Sequence, residues 1–252
     1  MDAIQIKELN KHFNGVAAID NLSVVFEQGK ITGIVGPNGS GKTTLTNVLS
    51  GMIAFDSGTI AIREKQRQKK ETASSTARCG ITRTFQEVRL FEQLTVLDNI
   101  LVVLTERSVG GSLFERHSEG HDKKAQAVLV RVGLWEKRNQ LAHNLSYGQR
   151  KLLEIARALA MTHADGIGKG INTFLFDEPF AGLFPEMIKT ITSIIKELKR
   201  EGKTVIVIEH NMQLIRELCD HLIVLDSGKL LAQGTPEEVL ERREVIEAYL
   251  GE

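Results

Sequence analysis

The chain has 252 residues, in which 32 Lys and Arg balance 32 Asp and Glu, leaving no formal net charge. That length buries a sizeable core without a staple, and the balanced charge advertises neither nucleic acid nor an anionic lipid surface as partner, so any phosphate ligand must be held locally. Cys79 and Cys219 stand apart without a Cys-x-x-Cys spacing and read as ordinary thiols of a reducing compartment, not as a metal or redox pair.

No apolar run approaches the roughly 18–20 residues needed to cross a bilayer. The opening Met-Asp-Ala-Ile-Gln lacks the basic-then-apolar pattern of a secretory signal, which predicts a protein of the cytosol or its membrane face. Strand patterns over 4–7, 22–26 and Ile31–Val35 give a β-rich start, followed by a glycine-rich turn and a helix over about 42–50. Residues 63–78 are polar, charged and poor in aromatics, which predicts an exposed excursion, and 108–121, rich in Gly, Ser and charge, predicts a mobile loop. Apolar residues recur at three- and four-residue steps over 122–132 and 145–161, so 87–161 reads as a mainly helical insertion in an α/β chain. Short apolar runs at 173–176 and Thr204–Ile208 have the pattern of parallel strands covered on both faces, with 188–200 as the crossover helix. Finally, 237–250 puts Val239, Leu240, Ile246 and Tyr249 on one helical face; with five Glu it suits docking on its own domain better than a membrane surface.

Three stretches carry chemistry. Gly36, Pro37, Asn38, Gly39, Ser40, Gly41, Lys42 and Thr43 fit GxxxxGK[ST], directly after an apolar strand and before a helix. Backbone N–H groups and the helix N-terminus would cradle phosphate, Lys42 would reach the β/γ-phosphates, and the Thr43 hydroxyl would face Mg²⁺. A dinucleotide-binding reading fails on the glycine spacing and the following lysine. Next, 174–176 is an apolar strand ending in Asp177 and Glu178, at the carboxyl end of a sheet where ligands gather. An Asp-Glu pair also serves as a turn or helix cap, but beside a phosphate loop it fits the Walker B pattern. Asp177 would then hold Mg²⁺ through its water shell and Glu178 would orient or deprotonate the attacking water. His210 closes another apolar strand; it is either structural or a γ-phosphate contact that keeps Glu178 in line.

In this order the motifs resemble the ABC transporter nucleotide-binding domain. Leu145, Ser146, Tyr147, Gly148 and Gln149 match its LSGGQ signature with Tyr in third place. The resemblance covers essentially the whole chain and implies an α/β fold: a P-loop NTPase core of the ABC ATPase type, a helical signature-motif subdomain and an N-terminal antiparallel β region. One nucleotide-binding domain would fill 1–252, with the core at about 1–86 and 162–252 and the helical subdomain at about 87–161. It also implies that the signature closes on ATP held by a second subunit, that Gln86 is the Q-loop glutamine touching Mg²⁺, and that Thr44 joins the ATP-binding set. Phe13 would stack on adenine, although a lone Phe beside a turn could equally be core. Ala181, Gly182 and Leu183 fall at the D-loop and His210 at the switch histidine.

Residues 81–91, then 208–212, and the ending Glu247, Ala248, Tyr249, Leu250 and Gly251 resemble the branched-chain amino acid importer ATPases. Relatives of that group serve urea or amide uptake and lipopolysaccharide export. The resemblance implies a peripheral ATPase on the cytoplasmic face of the inner membrane, a homo- or heterodimer with a second ATP-binding subunit. It would drive two integral-membrane permease subunits and, indirectly, a periplasmic or lipid-anchored solute-binding protein. The rival class, a soluble ABC ATPase of repair, chromosome architecture or translation, would carry a long coiled coil or two motif sets, and neither is present. Two departures stand out. Phe184 occupies the place before Pro185 where the family commonly has Asn, and 162–172 is longer than the usual link into the Walker B strand, which predicts a surface loop.

Overall fold

The computed structural model describes residues 1–63, 65–67, 69, 72–104, 119–163 and 170–250. β1 (Asp2–Phe13) and β2 (Val16–Glu27) form a hairpin whose turn, Asn14-Gly15, takes positive φ at both residues (47° and 84°). Both strands outrun the predicted 4–7 and 22–26, because register shifts interrupt the alternation that marks a strand in sequence. After β3 (Ile31–Val35) and α1 (Lys42–Leu49), β4 (Ser57–Ile62) and β5 (Lys65–Gln66) join the hairpin in a four-stranded antiparallel sheet ordered β2-β1-β4-β5.

α2 (Ala73–Arg78) and β6 (Ile81–Arg83) follow. The excursion expected over 63–78 is exposed along most of its described residues but is anchored at two points: Thr76 and Arg67 are buried, and Arg67 donates to the Val48 and Leu49 carbonyls at the end of α1. α3 (Val96–Leu104), α4 (Glu119–Arg131) and α5 (Tyr147–Ala160) pack on one another. Most of the loop predicted over 108–121 lies outside the described residues; its last residues open α4, and His121 is buried.

β7 (Thr173–Asp177), α6 (Pro185–Arg200), β8 (Thr204–Ile208), α7 (Met212–Leu218), β9 (His221–Asp226) and β10 (Lys229–Gly234) complete a six-stranded sheet ordered β10-β9-β3-β8-β7-β6. Its inner pairs are parallel, and β10 runs antiparallel at one edge. Strands β3, β7 and β8 are buried along their whole length, as strands covered on both faces must be. Side-chain alternation sorts them into two cores. Val35, Phe174, Phe176, Val205 and Val207 face the helices, whereas Ile34, Leu175, Ile206 and Ile208 face α1 and the antiparallel sheet.

Two further expectations are corrected. The 162–172 segment, whose residues 164–169 lie outside the described set, is not a surface loop at its end: Ile171 is fully buried and its carbonyl accepts from Lys203 Nζ at 3.0 Å. The C-terminal helix of 237–250 is two helices, α8 (Pro236–Leu240) and α9 (Arg243–Leu250). The break changes the inward face to Val239 and Val245, leaving Ile246 and Tyr249 45% and 38% exposed. Among the described residues, no helix is long and apolar enough to cross a membrane.

Phe174 and Phe176 stack at 6.1 Å between ring centroids inside the helix-facing core. Phe176→Ala is expected to lower unfolding free energy by about 3–5 kcal/mol, read from urea denaturation.

Candidate active site at the carboxyl ends of four strands

Register decides what meets what. Asp177 pairs with Ile208, Ile34 with the same Ile208, and Arg83 with Leu175, so the chain leaves β3, β6, β7 and β8 along one edge of the sheet. The segments that emerge there carry the glycine loop, Gln86, Glu178 and His210. Together with Ala18 of β2 they line a cavity of about 280 Å³ whose walls include Asn38, Lys42 and Thr43.

The loop between β3 and α1 needs its glycines. At Gly36, with φ +149°, an added Cβ would lie 2.1 Å from the Leu225 carbonyl oxygen; at Gly41, with φ +98°, it would lie 2.5 Å from that of Ala18. Gly41 starts α1 without a side-chain cap, so the first-turn N–H groups are left for an outside acceptor. Lys42 is buried and folds back onto its own loop, donating to the Gly36 and Pro37 carbonyls at 2.8 Å each and to Ser40 Oγ at 3.3 Å. Burial pulls the Lys42 ammonium below its usual range, opposed by the carboxylates of Glu178 and Asp177.

Glu178 stands at the centre. Its amide donates to the Ile208 carbonyl at 3.0 Å, and its φ of +47° is a left-handed conformation that a non-glycine residue adopts only under constraint. Gln86 Nε2 donates to Glu178 Oε2 at 3.0 Å, and His210 Nε2 lies 3.0 Å from Glu178 Oε1. Both carboxylate oxygens are therefore engaged from opposite sides. Thr43 hydroxyl, the Gln86 amide oxygen and the Asp177 carboxylate are hard oxygen donors, and among the described residues no group of three or more His, Cys, Asp or Glu could hold a metal alone. Few protein oxygens, with the rest of the shell left to water and phosphate, is the donor set that fits Mg²⁺.

The remaining predicted residues lie elsewhere. Phe13 is 46% exposed with Lys11 Nζ 5.1 Å over its ring, and does not line the cavity. Nor do Leu145, Ser146, Tyr147, Gly148 and Gln149. Ser146 caps α5 in a capping box with Gln149, and a Cβ on Gly148 would lie 2.0 Å from Met187 Sδ of α6. Phe184 caps α6 without a side-chain bond and is 75% exposed.

Four charged residues that sequence reasoning passed over hold this framework. Arg83, at the end of β6 with its side chain 6% exposed, pairs with Asp177 Oδ2 at 2.6 Å and donates to Asn47 Oδ1 and Ser50 Oγ of the α1 region at 2.7 and 3.0 Å. Glu209 is buried and accepts the N–H groups of Phe180 and His210 at 3.1 Å each; burial raises its carboxyl above the usual range. Lys151 and Glu154 of α5, also buried, bond to the main chain at Phe85 and Gln86. In sequence they interrupt the apolar stripe of α5, which was the available signal.

Comparison with known proteins bears on the same residues. Residues 19–181 match the family described as ABC transporter, and 229–252 match the branched-chain amino acid ATP-binding cassette transporter family. The high-affinity branched-chain amino acid transport ATP-binding protein LivG of Salmonella typhimurium is 36% identical over 99% of this chain and 98% of its own. The corresponding protein BraF of Pseudomonas aeruginosa is 35% identical over the same shares. A nucleotide-free ATP-binding cassette from an ABC transporter superposes with a TM-score of 0.85 at 32% identity, and an ADP conformation of such a cassette with 0.84 at 31%; each comparison covers 100% of both chains.

Replacing Arg83 by Met strands the Asp177 carboxylate, whose side chain is 8% exposed. Stability is expected to fall by about 3–5 kcal/mol, and the pair Arg83→Met with Asp177→Asn to recover most of it, both read from denaturant titration.

Proposed function

The chain belongs to the ABC transporter family, and from that premise we propose that it is the ATP-hydrolysing subunit of a multi-subunit importer of branched-chain amino acids or related small polar solutes. The observation that carries the reading is the Glu178 carboxylate, held between Gln86 and His210 in a cavity shared with the Lys42 loop. The full-length likeness to branched-chain amino acid transport subunits supports the solute class.

In this reading the triphosphate of ATP lies along residues 36–44, and adenine stacks on Phe13. Lys42 releases the Gly36 and Pro37 carbonyls and turns its ammonium to the β- and γ-phosphates. Thr43, Gln86 and Asp177 would hold Mg²⁺, which would neutralise phosphate charge. Hydrolysis passes through a loose in-line transition state, so positioning and charge compensation dominate. Glu178 takes the proton of the attacking water, a role typically contributing about 10²–10⁴-fold, and His210 keeps that carboxylate aimed while contacting the γ-phosphate. The signature residues, away from this cavity, serve the ATP of a second subunit: Ser146 offers its hydroxyl and Gly148 its N–H. Closure of two subunits on two ATP molecules and reopening after hydrolysis then drive the permease cycle. The subunit sits peripherally on the cytoplasmic face of the inner membrane, coupled to two permease subunits and through them to a solute-binding protein.

A groove of about 570 Å³ lies beside the Q-loop, its walls including Phe85, Leu90, Phe91, Val103 and Met161. Phe91 is 40% exposed. Its apolar walls, rimmed by Arg89 and Arg157, suit a few apolar side chains projecting from a helix of a permease subunit. Val96, at the start of α3, is fully buried in the helical core and stands apart from this surface.

Co-purification of the tagged chain from membranes in mild detergent is expected to bring down two integral-membrane proteins and an ATPase partner; recovery of soluble proteins alone would overturn the transporter reading. Phe91→Glu is expected to abolish that recovery, or to uncouple ATPase from solute uptake, while ATP binding stays within about twofold of wild type. Retention of both assembly and coupling would remove the groove from the interface.

A further inference from the structure

We propose that Lys151 and Glu154 are positioning residues for hydrolysis: they clamp the Phe85–Gln86 peptide and so set where the Gln86 side chain meets Glu178. The inference rests on the assignment of Gln86 and Glu178 given above, and extends it to the helix that begins at the signature.

Lys151 Nζ donates to the Phe85 carbonyl at 3.1 Å and to the Gln86 carbonyl at 3.0 Å. Glu154 Oε1 accepts the Phe85 N–H at 3.0 Å. Three bonds from two side chains one helical turn apart thus hold Phe85 at both its N–H and its carbonyl, and Gln86 at its carbonyl, fixing three successive peptide planes through Gln86. Gln86 Nε2 then donates to Glu178 Oε2.

These charges are costly to keep. Lys151 and Glu154 are only 2% and 5% exposed, and burial lowers the Lys151 ammonium and raises the Glu154 carboxyl, each shift opposed by the other's charge. Buried opposite charges of this kind seldom stabilise more than apolar residues of the same volume. The neighbouring inward positions of α5, Leu152, Leu153 and Ile155, are apolar, so a leucine at either place would have served packing alone. What leucine cannot do is bond a non-helical main chain at a fixed distance.

Placement on α5 gives the clamp a second consequence. The helix starts at Ser146, whose capping box fixes its first turn, and Lys151 lies about 7–8 Å further along the axis at 1.5 Å per residue. A displacement of the signature end is therefore delivered by a rigid helix to the Gln86 main chain. Root and crown of the Q-loop are held separately: Arg83 ties its root to Asp177, and α5 ties its crown to the signature.

The full-length protein tests this with Lys151→Met/Glu154→Gln, which removes both charges together and avoids stranding one. Hydrogen exchange followed by mass spectrometry is expected to speed up in the peptide covering 84–90 while peptides of β7 and β8 keep their protection. The hydrolysis rate at saturating ATP is expected to fall about tenfold or more, the scale on which small misplacements act, with ATP affinity within about twofold. In a Gln86→Ala background the same double substitution is expected to change the rate less than twofold, because the route through Gln86 is already cut. Lys151→Arg is expected to keep most of the wild-type rate. Unchanged exchange at 84–90, a wild-type rate, or an equal loss with and without Gln86 would each overturn the proposal. If Gln86→Ala alone hydrolyses ATP at the wild-type rate, the Gln86 assignment fails and the catalytic part of the proposal with it, whereas the exchange result still decides whether the clamp exists.

Discussion

The parallel pairing of β7 with β8 is the constraint from which the site follows. Asp177 sits opposite Ile208 in that ladder, and the next residue, Glu178, bonds its amide to the Ile208 carbonyl. Immediately after β8 come Glu209 and His210. A slip of one residue would turn Glu178 to the opposite face and separate it from both His210 and Gln86. Register is held by burial: every residue of β7 and β8 is inside, and the two cores divide their side chains strictly by face. The geometry of the candidate site is therefore a product of apolar packing, and the left-handed backbone at Glu178 is the local strain that packing sustains.

Around that ladder, buried charges are spent on backbone and carboxylate positions. Arg83 joins β6, the Asp177 carboxylate and the α1 region in one bonded unit. Glu209 accepts two main-chain N–H groups and so fixes the turns after β7 and β8 relative to each other. Lys151 and Glu154 extend the same device into the helical cluster. Each arrangement is expensive in desolvation, and each links segments that are far apart in sequence. Their common effect is to bond the α1 region, the Phe85–Gln86 segment and the strand end at Asp177 into a framework that joins one sheet edge to a separate group of helices.

Much of this was legible in the sequence, for reasons that are local. Lys42 and its glycines announce themselves because the chemistry needs those identities at fixed spacing between a strand and a helix. Continuous apolar runs marked β3, β7 and β8, and the acidic and histidine endings identified the reactive edge. What stayed hidden depends on partners distant in the chain. Arg83 looks like any charged strand terminus until Asp177 is set beside it, and Lys151 and Glu154 gain meaning only when Phe85 and Gln86 lie across α5. Bulges broke the alternation of β1 and β2 and concealed their length. The break between α8 and α9 was partly readable: Thr235 and Glu238 form a capping box that marks where α8 begins, but nothing as local marks its end. The burial of Ile171 and Arg67 came from tertiary contacts that polar composition does not reveal.

The most direct test of the account is Glu178→Gln, which preserves shape while removing the base. The measurement is the fate of radiolabelled ATP bound to the purified full-length variant in Mg²⁺, with oligomeric state followed by size exclusion. The account predicts intact ATP retained in a dimer, with hydrolysis slowed about 10²-fold or more. Release of labelled phosphate at the wild-type rate, or a variant that stays monomeric in saturating Mg-ATP under conditions where dimers of this type form, would contradict it.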